Sequence, residues 1–81
     1  MITTVEDKVK EIVSNISKVL AQKLGMDDDL IEKYGIDSLK KVEIIIELEK
    51  AYDITIDDET ALKLRTISQI IEFINHRTQE N

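Results

Sequence analysis

The sequence contains no cysteine and no proline, and its only two glycines are Gly25 and Gly35. Without cysteine the chain can form neither a disulfide nor a thiolate-bound metal site, and it has no thiol of its own for covalent catalysis. Strands and tight hairpins need more turn residues than this, so the composition favours helices. The 81 residues, 42% of them apolar, predict a single domain, residues 1–81, with one small core.

Positive charge is also scarce: 11 basic residues face 17 acidic ones, and the formal net charge is −6. Such a surface repels nucleic-acid phosphates and anionic lipids, so we expect partners with basic patches and neither nucleic acid nor a membrane. No apolar run exceeds three residues, as in Ile44–Ile46, and the N-terminus lacks the pattern of a signal peptide. We therefore expect a soluble, cytoplasmic protein, and a monomer.

Apolar residues spaced by three and four predict a first helix over residues 4–24. Thr3 and Glu6 have the spacing of a capping box at its start, and Gly25 stands where a left-handed residue would end it. Residues 26–37 have no sustained period and predict a loop that contains at most a turn of helix.

The remaining elements are also predicted to be helical. Asp37 and Ser38 are good N-cap residues for a second helix that continues to Tyr52. The acids of residues 57–59 can open a short third helix, and Thr66 with Gln69 repeats the capping-box spacing before a last helix. The predicted fold is all-α: a small four-helix bundle of three longer helices plus a short third one.

The second helix carries two apolar stripes, whereas a surface helix needs only one. Its core stripe is expected to contain Ile44, Ile45, Leu48 and Tyr52. Its second stripe contains Leu39, Val42 and Ile46, and beside it stand Glu43 and Glu47. Like charges four residues apart cost about 0.2–0.5 kcal/mol, so stability alone does not favour them. An apolar stripe edged by acids suits a basic partner with a hydrophobic notch. The alternative is that the second stripe packs under the loop of residues 26–37.

The segment Gly35-Ile36-Asp37-Ser38-Leu39 resembles the Gly-x-Asp-Ser-Leu signature of acyl and peptidyl carrier proteins. The continuation from Val42-Glu43 through Leu48-Glu49 is similar to that family's second helix. The segment Tyr52-Asp53-Ile54, with Ile56, is similar to the segment that follows that helix. The resemblance covers nearly the whole chain, because four helical elements occur in the family's order and length.

This resemblance implies that Ser38 carries a covalent phosphopantetheine arm, with Asp37 and Leu39 as the rest of the motif. The arm's thiol would hold acyl or aminoacyl groups as thioesters in fatty-acid, polyketide or peptide-type biosynthesis. The implied partners are a phosphopantetheinyl transferase, an acyl- or aminoacyl-loading ligase or transferase, and synthase enzymes with basic docking patches. Residues Leu39, Val42, Glu43, Ile46 and Glu47 are expected to contact them.

The residues leave other interpretations open. Ser38 could be a plain helix cap, and the chain could be a helical docking or adaptor module without a prosthetic group. A serine hydrolase is disfavoured because the only histidine, His76, lies near the end of the last helix, where a solvated residue suits the helix dipole. No acid–base pair, metal cluster or phosphate loop is visible, so we expect a carrier that is not an enzyme and binds no metal.

Three features depart from the family pattern. Lys40 and Lys41 follow the signature where fatty-acid carriers place an acid and a small polar residue, and lysine at the first of these positions looks more like the carriers of polyketide and peptide synthesis. Only eleven residues separate Gly25 from Asp37, so either the loop is short or the first helix ends early. Finally, Asp27–Asp29 lacks the spacing of a calcium loop and is read as a solvated charge run.

Overall fold

The computed structural model describes residues 4–79, and within them it contains three long and two short α-helices and no strand. The helices are α1 (Val5–Ser17), α2 (Leu30–Tyr34), α3 (Ser38–Tyr52), α4 (Asp58–Lys63) and α5 (Ile67–Gln79), with a 3₁₀ turn at Ala21–Lys23. The predicted all-α bundle of three longer helices and a short third one, here α4, is confirmed. The additional helix, α2, is the helical turn allowed for within residues 26–37.

The core lies where α1 packs against α3 and α5. Each of these helices contributes side chains that are fully buried, including Val9 and Val13, Ile44 and Leu48, and Ile70 and Ile74. The core is closed by Leu30 of α2 and, from the connecting segments, by Leu24, Ile36, Ile56 and Leu64. The described residues contain no buried polar or charged side chain. Apolar packing is therefore what holds the long helices together.

The first helix is shorter than predicted, and Gly25 does not end it. Lys18 adopts the left-handed conformation at φ 68°, and its N–H donates to Ser14 O at 2.8 Å. The Ser17 hydroxyl accepts a hydrogen bond from Val19 N at 3.2 Å, which offers the backbone an alternative to the helix. Ending here turns the chain so that Leu24, at 4% exposure, enters the core. Of the two explanations for the short spacing before Asp37, the early helix end is the one the structure shows.

The predicted cap of α1, Thr3, lies outside the described residues. The cap that the structure shows is Thr4, whose Oγ1 accepts a hydrogen bond from Asp7 N at 3.1 Å. The capping box before α5 is confirmed in both directions: Gln69 N donates to Thr66 Oγ1 and Thr66 N to Gln69 Oε1, each at 3.1 Å.

Gly25 has a different role from the one predicted. A Cβ at this position would collide with the Asp28 carboxylate. That carboxylate is held by Lys33 Nζ at 3.1 Å and by the Tyr34 hydroxyl at 3.0 Å, so it is not free to move aside. The hydroxyl also accepts a hydrogen bond from Gly25 N at 2.9 Å. Glycine is thus required for a close approach within the loop.

The Asp27–Asp29 segment stays accessible to solvent, as predicted, but each of its acids also has a specific partner. Ser68 Oγ donates to Asp27 Oδ1 at 3.0 Å, joining the loop to α5. The Asp29 carboxylate caps α2 by accepting from Ile31 N and Glu32 N, both at 2.9 Å, and it also pairs with Arg65 Nε at 2.6 Å. Arg65 holds the pKa of Asp29 down at about 2, with the Glu32 amide as the next cause. Asp27 and Asp29 have these distant partners because the loop packs against α5 and against the segment between α4 and α5, which local sequence does not reveal.

Among residues 4–79, none of the helices is both long enough and apolar enough to cross a membrane.

Candidate functional site

Three consecutive residues, Gly35 to Asp37, position Ser38 at the surface. Gly35 ends α2 with φ 64°, a left-handed conformation that glycine adopts without strain. Ile36 is 1% exposed and anchors the connection in the core. Asp37 caps α3 by accepting a hydrogen bond from Lys40 N at 2.9 Å. Ser38 follows as the first residue of α3, with an exposed side chain. The motif thus ends α2, anchors the connection in the core, caps α3 and exposes the Ser38 hydroxyl.

The surroundings of Ser38 fit a phosphodiester. The first turn of a helix has backbone N–H groups without helical acceptors, and the helix dipole favours negative charge there. The Lys40 amide donates a hydrogen bond to the Asp37 side chain. An exposed hydroxyl at this point can therefore hold a large anionic substituent without burying it.

A groove of about 730 Å³ lies beside Ser38, between α3 and α4. Its wall is mainly aliphatic, formed by Ile31, Ile36, Val42, Ile45, Ile46, Ile56, Ala61 and Leu62. Leu62 at its edge is 76% exposed. An apolar groove that opens next to an exposed hydroxyl can shelter an apolar group attached there.

The structure separates the two stripes of α3. Ile44, Ile45 and Leu48 are buried, as predicted for the core stripe. Leu39 is 71%, Val42 52% and Ile46 43% exposed. The second stripe is therefore not packed under the loop of residues 26–37. Tyr52, assigned to the core stripe, is half-buried and packs at the edge of the core.

Glu43 and Glu47 are both exposed beside the second stripe. We call Leu39, Val42, Glu43, Ile46 and Glu47 the α3 strip. A shallow depression continues the strip onto α1, where Ile12, Asn15 and Ile16 line it together with Ile46 and the two glutamates. Sequence analysis missed this α1 edge, because the crossing of two helices decides which residues of one border the other.

Lys41 and Arg65 are two further residues of the groove that sequence analysis did not assign to the site. Lys41 is half-buried, and its Nζ donates to Ala61 O of α4 at 2.9 Å. Burial lowers the pKa of the Lys41 ammonium, and the positive charge of Arg65 adds to this effect. The position of Lys41, three residues after Ser38 on the same helix, is the signal that could have placed it near the site.

The described residues contain no group of three or more side chains of the kinds that hold a metal ion. His76 is exposed on α5 and lies away from Ser38, in a shallow region that it shares with Met26 and Ser68.

The sequence and the structure both match known proteins. A family described as "Phosphopantetheine attachment site" matches residues 7–74. The acyl carrier protein of Buchnera aphidicola subsp. Schizaphis graminum is 36% identical over 76 residues, which cover 94% of this chain and 96% of that one. The acyl carrier protein of Clostridium acetobutylicum is 34% identical over 74 residues, covering 91% of this chain and 96% of that one.

A similar fold occurs in the solution structure of a candidate acyl carrier protein from Anaplasma phagocytophilum. The TM-score is 0.84 at 30% sequence identity, and the match covers 91% of this chain and 88% of that chain. The match therefore extends beyond the signature to the arrangement of the helices.

Proposed function

We propose that the covalent phosphopantetheine arm is attached to the Ser38 hydroxyl, because the chain belongs to the phosphopantetheine attachment family. The chain is a carrier protein of acyl biosynthesis. The observation that carries the proposal is the exposed serine at the start of α3, directly after its cap Asp37. The arm supplies a thiol for thioester chemistry, which a chain without cysteine lacks.

The chain's own residues prepare Ser38 for modification and do not catalyse it. Asp37 fixes the first turn of α3, so the serine oxygen is held at a defined point on the surface. The first-turn amides then favour the phosphodiester that forms on that oxygen. In the transfer, the serine oxygen attacks the phosphorus of coenzyme A that bears the pantetheine, the P–O bond of the pyrophosphate breaks and adenosine 3′,5′-bisphosphate leaves. The proton of the hydroxyl passes to a base of the transferase. We accordingly propose a non-catalytic carrier, folded as one domain over residues 1–81, that presents its cargo to partner enzymes.

The α3 strip is proposed as the surface that these enzymes contact. It combines three exposed aliphatic side chains with two exposed acids, and it begins next to Ser38. The partners suited to it are a phosphopantetheinyl transferase, acyl- or aminoacyl-loading enzymes, and synthases, each with a basic patch around an apolar notch. The cytoplasmic location and the monomeric state stay predictions, as does the choice among fatty-acid, polyketide and peptide-type pathways.

Intact mass spectrometry tests the attachment site. The unmodified protein is incubated with coenzyme A and a broad-specificity phosphopantetheinyl transferase. We expect the wild type to gain one arm and Ser38→Ala none. Ser68→Ala is the matched control, because Ser68 also lies in the first turn of a long helix, and it should gain one arm. A modified Ser38→Ala protein, or an unmodified wild type, would contradict the proposal and favour a docking module without a prosthetic group.

A further inference from the structure

Lys41 is an unusual residue for the wall of an apolar groove. It lies one turn after Ser38 on α3, and in a helix the side chains of residues three apart are neighbours. Its aliphatic stem can line the groove while its ammonium reaches the α4 edge, where it donates to Ala61 O at 2.9 Å. A half-buried ammonium has three donors, and one carbonyl satisfies only one of them.

No carboxylate pairs directly with Lys41, although the more distant charge of Asp29 offsets part of its charge. Within residues 4–78, no ion pair shorter than 4.0 Å joins its Nζ to an acid. The other charged side chains that line the groove are Asp37, Glu49, Asp58 and Arg65, and Asp29 lies beside Arg65.

Most of these acids already have other partners. Asp37 caps α3, Glu49 accepts a hydrogen bond from Ile56 N at 2.8 Å, and Asp29 pairs with Arg65. Asp58 is exposed and forms no ion pair with Lys41 among the described residues. The groove therefore offers a cation, one turn from the proposed attachment point, that has no direct ion pair with an acid.

We propose that Lys41 is an anion-binding residue of the groove. The anion that it binds is a negatively charged group attached to the loaded Ser38. This inference rests on the proposed attachment at Ser38. The anion has two possible sources: the phosphodiester of the arm, or a carboxylate on the acyl group. In the second case the groove favours acyl chains with an anionic or strongly polar group, because a saturated chain would desolvate the ammonium without compensating it.

The test compares four forms of the protein: unmodified, carrying the bare arm, carrying an octanoyl thioester, and carrying an eight-carbon acyl thioester that ends in a carboxylate. Intact mass is read first. Failure to load contradicts attachment at Ser38, whereas complete loading lets the role of Lys41 be judged separately.

The first measurement is the pKa of the Lys41 ammonium. With ¹³C-labelled lysine, the Lys41 signal is identified by its loss in Lys41→Met, and its pKa is measured in each form. In the unmodified protein burial holds this pKa below the ordinary value, and an anion beside it should raise it. A rise with the bare arm identifies the phosphodiester, and a rise only with the carboxylated chain identifies the cargo. The same pKa in all four forms would overturn the proposal.

The second readout is thermal stability. We expect the form that supplies the anion to raise the melting temperature of the wild type by about 4 °C more than it raises that of Lys41→Met, the size of one moderate interaction in a domain of this length. Lys40→Met removes the same charge from the adjacent position, which does not line the groove, and should behave like the wild type. An equal rise in melting temperature in the wild type and in Lys41→Met would contradict the proposal even if the pKa of Lys41 changes on loading.

Discussion

The two sides of α3 are held to the rest of the molecule by different forces. On the α1 and α5 side, Ile44 and Leu48 are fully buried in an aliphatic core. On the groove side, α3 also makes polar contacts: Lys41 Nζ donates to Ala61 O and Glu49 accepts from Ile56 N. Beside them, Asp29 pairs with Arg65 and joins two other segments that border the groove.

This difference separates stability from function. Removing buried aliphatic groups costs free energy wherever the cavity cannot collapse, so the core side fixes the fold. Hydrogen bonds and exposed ion pairs contribute less and can be exchanged for others, so the groove side can change its contacts on the loading that we propose for Ser38. The proposed function needs both properties on one helix, because the proposed attachment point must stay in place while the surface beside it meets different partners.

The largest effect is expected from truncation on the core side. Leu48→Ala should reduce the free energy of unfolding by about 2–5 kcal/mol, because it removes buried methyl groups and leaves a cavity. Ile46→Ala, on the same helix but 43% exposed, should cost well under half of that. Urea denaturation of both variants measures the difference. If Ile46→Ala proves as destabilising as Leu48→Ala, the α3 strip belongs to the core and the comparison fails.

A smaller effect, on kinetics and not on stability, is expected from the acids of the α3 strip. Reversing both Glu43 and Glu47 to lysine should slow arm transfer to Ser38 by about threefold or more at low salt, because charge complementarity raises association rates. The loss should shrink as salt screens the charges. Steady-state transfer rates across a sodium chloride series provide the measurement.

The matched control for this variant is the double reversal of Glu11 and Glu72, which are exposed on α1 and α5. It changes the net charge equally and should leave the transfer rate closer to that of the wild type. Equal slowing by both double variants would show that net charge matters and that the α3 strip does not.

The smallest effect is expected on the groove side at low pH. The folded pKa of Asp29, about 2, lies below its ordinary value of 3.8, mainly because of Arg65. An acid whose pKa is lowered by folding contributes its full stabilisation at pH values above its ordinary pKa. This contribution is lost as pH falls toward the folded pKa. Between pH 4 and 2, Asp29→Asn should therefore lose less stability than the wild type. The effect is modest because Arg65 is exposed.

Urea midpoints measured at each pH test this expectation. Glu72→Gln serves as the control, because it removes one negative charge from an exposed position on α5, and its acid loss should follow that of the wild type. Parallel curves for wild type and Asp29→Asn would show that the Asp29–Arg65 pair does not stabilise the groove side.

Much of this protein was determined by local sequence. The periodic aliphatic residues of α3 separated Ile44 and Leu48 from Leu39 and Ile46 without any structure, since helical geometry alone sets which residues share a face. The caps Asp37 and Thr66 were equally readable, because a cap acts on amides two or three residues away. The same local chemistry placed Ser38 at the start of a helix.

Contacts between distant segments were decided only by the tertiary structure. Local sequence could not show that α1 ends at Ser17, since the gain lies in bringing Leu24 into the core. It could not pair Asp29 with Arg65, which are 36 residues apart, or reveal why Gly25 must lack a side chain. The groove and the cation of Lys41 within it likewise exist only once α4 packs beside α3. Periodicity reports which way a side chain faces, but only packing decides what it meets there.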